Sequence, residues 1–112
     1  MVVMPRRPAD APAREGGVAA TAKTAEPPRF AVVFHNDDYT TRDFVVHVLM
    51  KFFQHNVTEA THIMLSVHHR GSGVAGVFHR DLAETKALQV TEYARLHEMP
   101  LKVTAEPEGT RA

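Results

Sequence analysis

Cysteine is absent from this chain of 112 residues. That excludes disulfides, thiolate zinc sites and cysteine nucleophiles, and it leaves the redox compartment unread. There is no excess of either charge: thirteen Lys and Arg stand against thirteen Asp and Glu. A balance of that kind gives no overall field to attract DNA, RNA or an anionic membrane, so neither a nucleic acid nor a membrane is expected as a partner. Long apolar runs are missing too. No stretch approaches the roughly 18 residues of a membrane span, and the opening MVVMPRRPADAPAREGG contains no continuous apolar segment of signal-peptide kind. A soluble, cytoplasmic protein is expected.

Aromatic residues are few and unevenly placed. Residues 1–28 hold none of them, yet carry five of the seven prolines together with Ala, Gly and scattered charge. Such a segment cannot bury enough surface to offset the entropy of ordering it. Residues 1–27 are therefore expected to form a disordered arm. Every Phe and Tyr lies between Phe30 and Tyr93, and 44% hydrophobic content supports one core in a chain of this length. The folded domain is expected over residues 28–106, with 107–112 as a flexible tail. There is no internal repeat.

Local patterning gives the order of elements. Phe30–Phe34 is a short apolar run rich in β-formers and reads as a buried strand. It stops at the polar stretch NDDYTT. Thr40 with Asp43 resembles a capping box, and Phe44, Val45, Val48, Leu49, Phe52 and Phe53 recur at helical spacing, predicting a helix that ends near Asn56. Asn56 with Glu59 is a second cap, followed by the stripe Ala60, Ile63, Met64 and Val67, with Gly71 as terminator. Val74–Phe78 reads as a second strand. Asp81 with Glu84 repeats the cap pattern before Ala83, Ala87, Val90 and Ala94, whose small side chains allow close approach to a sheet. Pro100 blocks that helix, and Leu101, Val103 and Ala105 alternate with Lys102 and Thr104 as a last, half-buried strand. These elements predict a small α+β domain of order β-α-α-β-α-β: a three-stranded antiparallel sheet with three helices on one face.

Catalytic chemistry finds little support. Eight histidines are many for this length, but no two stand four apart, and His55, His62 and His69 recur every seven residues, roughly 10 Å apart along a helix. No metal site and no cofactor are expected. Asp37 and Asp38 are sequence neighbours, which seldom point the same way, and no phosphate-cradling glycine loop lies nearby. Ser66 and Ser72 lack the strand–turn–helix elbow of a serine hydrolase. No enzyme activity is expected. One constellation does stand out. Met64, Val67 and His68 share one helix face by their spacing, and His68 extends the apolar stripe to a position where it needs a partner or stands at the rim of an opening. An imidazole there, facing a carboxylate and an amide carbonyl, is a receptor for a cation with a hydrophobic tail.

The runs HNDDYT, FVVHVLMKFF, ATHIMLSVHHRG, GVF, AETKALQVTEYAR and a closing MPL, in that order from about Pro27 to Glu106, closely resemble the ClpS adaptor family. The resemblance implies an adaptor, expected to be monomeric, that carries proteins beginning with a bulky hydrophobic residue (Leu, Phe, Tyr or Trp) and a free α-amine, the N-degrons, to a Clp-type AAA+ unfoldase and its peptidase. It implies that the Asn36 carbonyl, the Asp37 carboxylate and a ring nitrogen of His68 accept from the α-ammonium. Thr40, Val45, Met64, Val67 and Leu101 would line or border the hole for the first side chain. Asp38 either strengthens the field around the ammonium or only supports the turn. Asp81 and Lys86 fall where members dock on the N-terminal domain of the unfoldase, and the arm would engage the unfoldase during delivery. One departure matters. Members commonly carry Met at the pocket mouth where this chain has Arg42. A guanidinium cannot enter an apolar hole beside an ammonium without severe cost, so Arg42 is expected to snorkel outward with its charge in water and to change or narrow the preference among first residues. The alternative is a regulator that binds the unfoldase with altered or lost N-terminal recognition.

Overall fold

The computed structural model describes residues 27–109. The expected arm, apart from Pro27, and the last three residues of the expected tail lie outside the described residues. The elements are β1 (Phe30–His35), α1 (Arg42–Phe53), α2 (Val57–Arg70), β2 (Ser72–Phe78), α3 (Arg80–Leu96) and β3 (Lys102–Pro107). The sheet order is β2-β1-β3, with both pairings antiparallel. This is the α+β order that the hydrophobic periodicity predicts. Because β1 takes the middle, Ala31, Val32, Val33 and Phe34 are all buried, which is why its apolar run is continuous and not alternating. Val32 and Phe34 meet Val48, Leu49, Ala60, Ala83 and Val90 in one core.

The ends of the helices depart from expectation in instructive ways. Thr41, not Thr40, caps α1: its Oγ1 accepts from the Phe44 N–H at 3.1 Å. Thr40 stands one residue before the cap position, and its hydroxyl donates to Asp37 Oδ2. α1 stops at Phe53, short of Asn56, with Gln54 in the left-handed region at φ 59°. The Asn56–Glu59 capping box forms as the pattern predicts, with both reciprocal bonds present. Gly71 ends α2 at φ 93°, a conformation that penalises any Cβ. The expected Asp81–Glu84 cap does not form. The N-cap position of α3 is His79, which makes no side-chain cap bond, and Asp81 sits within the first turn. β2 begins at Ser72, earlier than the apolar run suggests, and Pro107, expected in the tail, closes β3 opposite Phe30. Among the described residues no helix is long and apolar enough to cross a membrane.

Candidate functional site

The stretch between β1 and α1 folds around one carboxylate. Asp37 Oδ1 accepts from the backbone N–H groups of Tyr39 at 2.8 Å and Thr40 at 2.7 Å, and Oδ2 accepts from the Thr40 hydroxyl at 2.7 Å. Burial is the largest single influence on this carboxyl and acts to raise its pKa. The Thr40 hydroxyl, then the Thr40 and Tyr39 N–H groups, together outweigh it and hold Asp37 below the ordinary aspartate range. Two carboxylate oxygens offer about four acceptor positions. Three are filled from within the loop, and the remaining one is left for something else. Asn36 is anchored through its backbone, whose N–H donates to the Gly71 carbonyl at 2.9 Å. That bond ties the start of the loop to the end of α2, while the Asn36 and Asp38 side chains make no hydrogen bond among the described residues.

α2 supplies the facing wall. Gly73 in β2 lets the strand pass tightly beneath it: a Cβ there would lie 2.9 Å from Val67 Cγ2 and 3.4 Å from the Ile63 carbonyl oxygen. Between the loop, the first turns of α1 and α2 is a cavity of about 360 Å³, lined by Asn36, Asp37, Asp38, Tyr39, Thr40, Thr41, Arg42, Val45, Met64, Val67 and His68. The structure therefore brings the loop acceptors, the imidazole and the Val45, Met64 and Val67 side chains around one opening. A larger, more open depression of about 510 Å³ lies on another face of α2, lined by His62, Ile63, Leu65, Ser66, His69, Arg70 and Val74. It contains no carboxylate to face a cation. Among the described residues no group of three or more His, Cys, Asp or Glu side chains could hold a metal ion.

Arg42 is exposed, as expected, but its side chain also makes a contact that the sequence does not announce. Its side chain reaches from the first turn of α1 to α2, where Nη2 lies 2.6 Å from His68 Nε2. A guanidinium can only donate, so Nε2 is the acceptor, and in the neutral ring the proton sits on Nδ1. Both side chains are exposed, so the guanidinium keeps its charge in water as expected while one of its N–H groups rests on the imidazole.

The family model for the ATP-dependent Clp protease adaptor protein ClpS matches residues 25–104. The chain belongs to the ClpS family. It is thus an adaptor of the Clp protease and not a catalytic enzyme. It is 53% identical over 91 residues to the ClpS adapter protein of Rhodospirillum centenum, covering 81% of this chain and 84% of that one. With the ClpS of Bdellovibrio bacteriovorus the identity is 48% over 102 residues, covering 91% and 90%. Its fold is similar to the solved structure of Agrobacterium tumefaciens ClpS2 bound to L-phenylalaninamide, with a TM-score of 0.72 and 40% identity over 74% of this chain and 100% of that one.

Against this ClpS framework, Leu101, expected at the hole, and Asp81 and Lys86, expected at the unfoldase interface, lie apart from the cavity. Leu101 is not among its lining side chains. It is 4% exposed and joins the core just before β3. Asp81 is exposed in the first turn of α3. Lys86 is half-buried: its Nζ donates to the Phe52 carbonyl at 2.7 Å, satisfying a free carbonyl at the end of α1, and stands 5.8 Å and 6.0 Å from the Phe53 and Phe78 ring centroids. Sequence reasoning missed Tyr39 and Thr41 in the cavity wall and the Arg42–His68 bond. Thr41 had a readable signal, since it directly precedes the first turn. The bond had none, because no periodic pattern links residues 42 and 68.

Proposed function

We propose that this adaptor recognises proteins beginning with Leu, Phe, Tyr or Trp and a free α-amine, and delivers them, as a cytoplasmic monomer, to the N-terminal domain of a Clp-type AAA+ unfoldase. The observation that carries this reading is the two-part cavity, with acceptors from Asn36, Asp37 and His68 beside the apolar side chains of Val45, Met64 and Val67. An α-ammonium has a pKa near 8 and is mostly charged at neutral pH. It brings three donors. Charge-assisted hydrogen bonds contribute about 1.5–3 kcal/mol each, and burial of a Leu or Phe side chain adds about 1.5–3 kcal/mol. An internal Leu forfeits the first part, and an N-terminal Ser or Glu forfeits the second. L-phenylalaninamide, the ligand of the similar ClpS2 structure, has this chemistry: a free α-amine, a benzyl group and no carboxylate.

In this reading Asp38 strengthens the field around the ammonium, Thr40 borders the opening while orienting Asp37, and Leu101 supports the pocket from the core. Asp81, with the ammonium of Lys86, meets the unfoldase. Arg42 narrows the preference among first residues. The test is fluorescence anisotropy with peptides headed by each of the four residues, with the α-amine free and acetylated. Acetylation is expected to weaken binding by about a hundredfold or more, and equal binding of both forms would sink the proposal. An unchanged ranking of the four after Arg42→Met would remove Arg42 as the cause of any narrowing. A second reading, a regulator that docks on the unfoldase and ignores such peptides, is favoured by one observation, the Arg42 guanidinium already seated on His68. It predicts no binding of either peptide form.

A further inference from the structure

The neutral imidazole has one lone pair to offer, on whichever ring nitrogen lacks the proton. In this structure that lone pair is on His68 Nε2, and Arg42 Nη2 holds it at 2.6 Å. An α-ammonium also only donates. It cannot hydrogen-bond His68 while Arg42 does, whichever nitrogen it approaches: Nε2 is occupied, and Nδ1 carries a proton for as long as Nε2 accepts. The two cations also repel each other at this distance. Entry of an N-terminus therefore requires Arg42 to let go.

We infer that Arg42 is an internal competitor for the α-amine site, and that its displacement makes this adaptor select N-termini whose second residue is acidic. The inference rests on the reading of the cavity given above. Once displaced, the guanidinium remains at the cavity rim beside a bound ammonium and needs a carboxylate. Asp37 has three of its acceptor positions filled by the loop and turns the last to the ammonium. Asp38 lines the same cavity without a hydrogen-bond partner among the described residues, yet the guanidinium sits on the neutral imidazole and not on Asp38. No hydrogen bond or ion pair joins Arg42 to Asp38 among the described residues. The next carboxylate that can arrive is the substrate's own. Successive Cα atoms are about 3.8 Å apart, so a Glu or Asp in second place projects from a point one residue beyond the ammonium, within reach of an arginine that spans from α1 to α2. A Lys in second place would add a third cation.

The experiment measures the affinity of three free-amine peptides, headed Phe-Glu, Phe-Ala and Phe-Lys, for the full chain and for Arg42→Ala. Arg42 and His68 are both exposed, so the effect is that of a surface charge pair. The full chain is expected to bind Phe-Glu roughly three- to fivefold more tightly than Phe-Ala, with Phe-Lys weakest. In Arg42→Ala the Phe-Ala peptide gains a similar factor and the advantage of Glu disappears. Nitrogen-15 shifts of the His68 ring give an independent reading: free protein shows the proton on Nδ1, and Arg42→Ala loses that bias. Equal affinity for Phe-Glu and Phe-Ala in the full chain, or no gain for Phe-Ala on removing Arg42, overturns the inference while leaving α-amine recognition intact. If no free-amine peptide binds either protein, the reading of the cavity fails and this inference fails with it.

Discussion

Two strand-to-helix junctions in this molecule do the same topological job by different means. β2 passes to α3 through His79 alone, at φ −64° and ψ 158°, with no side-chain cap. β1 passes to α1 through residues 36–41, and that passage spends a carboxylate, a hydroxyl and two backbone N–H groups on holding itself in one shape. Turning the chain plainly requires only the first solution. The additional polar residues of the second junction are not needed for the turn, and they form the rim of the cavity. A junction that is longer and more polar than the topology demands is where a site should be sought.

The largest expected effect comes from breaking the elaborate junction at its centre. Asp37→Ala removes the partner of three loop donors and, with it, the acceptor proposed for the ammonium. Affinity for a Phe-headed peptide is expected to fall by roughly 30- to 100-fold, measured by anisotropy. His79→Ala at the plain junction is expected to leave that affinity unchanged and stability within about 0.5 kcal/mol, because no cap bond is lost. Equal effects of the two substitutions would show that the loop around Asp37 is only a turn.

The order of elements was legible in the sequence because each carries its own periodicity, and the core faces of α1, α2 and α3 are the stripes that the spacing marks. Cap positions were legible only where a single candidate existed. Asn56 with Glu59 had no rival. Thr40 and Thr41 are adjacent and chemically alike; Thr40 turns its hydroxyl to Asp37 and Thr41 to the Phe44 N–H, contacts that pattern reading does not weigh. Asp81 looks like a cap by spacing, but the helix starts before it. The candidate site was partly legible: Met64, Val67 and His68 share a face by arithmetic, whereas the roles of Asn36, Asp37, Asp81 and Lys86 came from family resemblance. The Arg42–His68 and Lys86–Phe52 contacts join residues far apart in sequence, and nothing local encodes them.

An intermediate effect comes from exchanging the two caps. Thr41→Ala deletes the acceptor for the Phe44 N–H and is expected to cost about 1 kcal/mol in denaturant unfolding. The reverse change, His79→Asp, gives α3 the side-chain acceptor it lacks, at a residue whose backbone is already extended as a cap requires. It is expected to stabilise by about 0.5–1 kcal/mol. A destabilised His79→Asp would mean that the imidazole has a role at that junction beyond ending the strand.

The smallest effect separates loop order from binding and rests on the sign of one pKa. Thr40→Val keeps the Thr40 N–H bond to Oδ1 and deletes only the hydroxyl that donates to Oδ2. Burial, which pushes the Asp37 carboxyl upward, is then opposed by backbone donors alone, so its pKa rises. In the native chain the folded-state pKa is depressed. The stability this provides is fully present above the unfolded value of about 3.9 and is lost as pH falls through the folded value. The difference in unfolding free energy between native chain and variant should accordingly be present near neutral pH and shrink toward zero as pH falls through the depressed folded-state value. A carbon-13 titration of the Asp37 carboxyl gives the same answer directly, and a midpoint that does not move on losing the hydroxyl would mean that the backbone donors alone hold the loop.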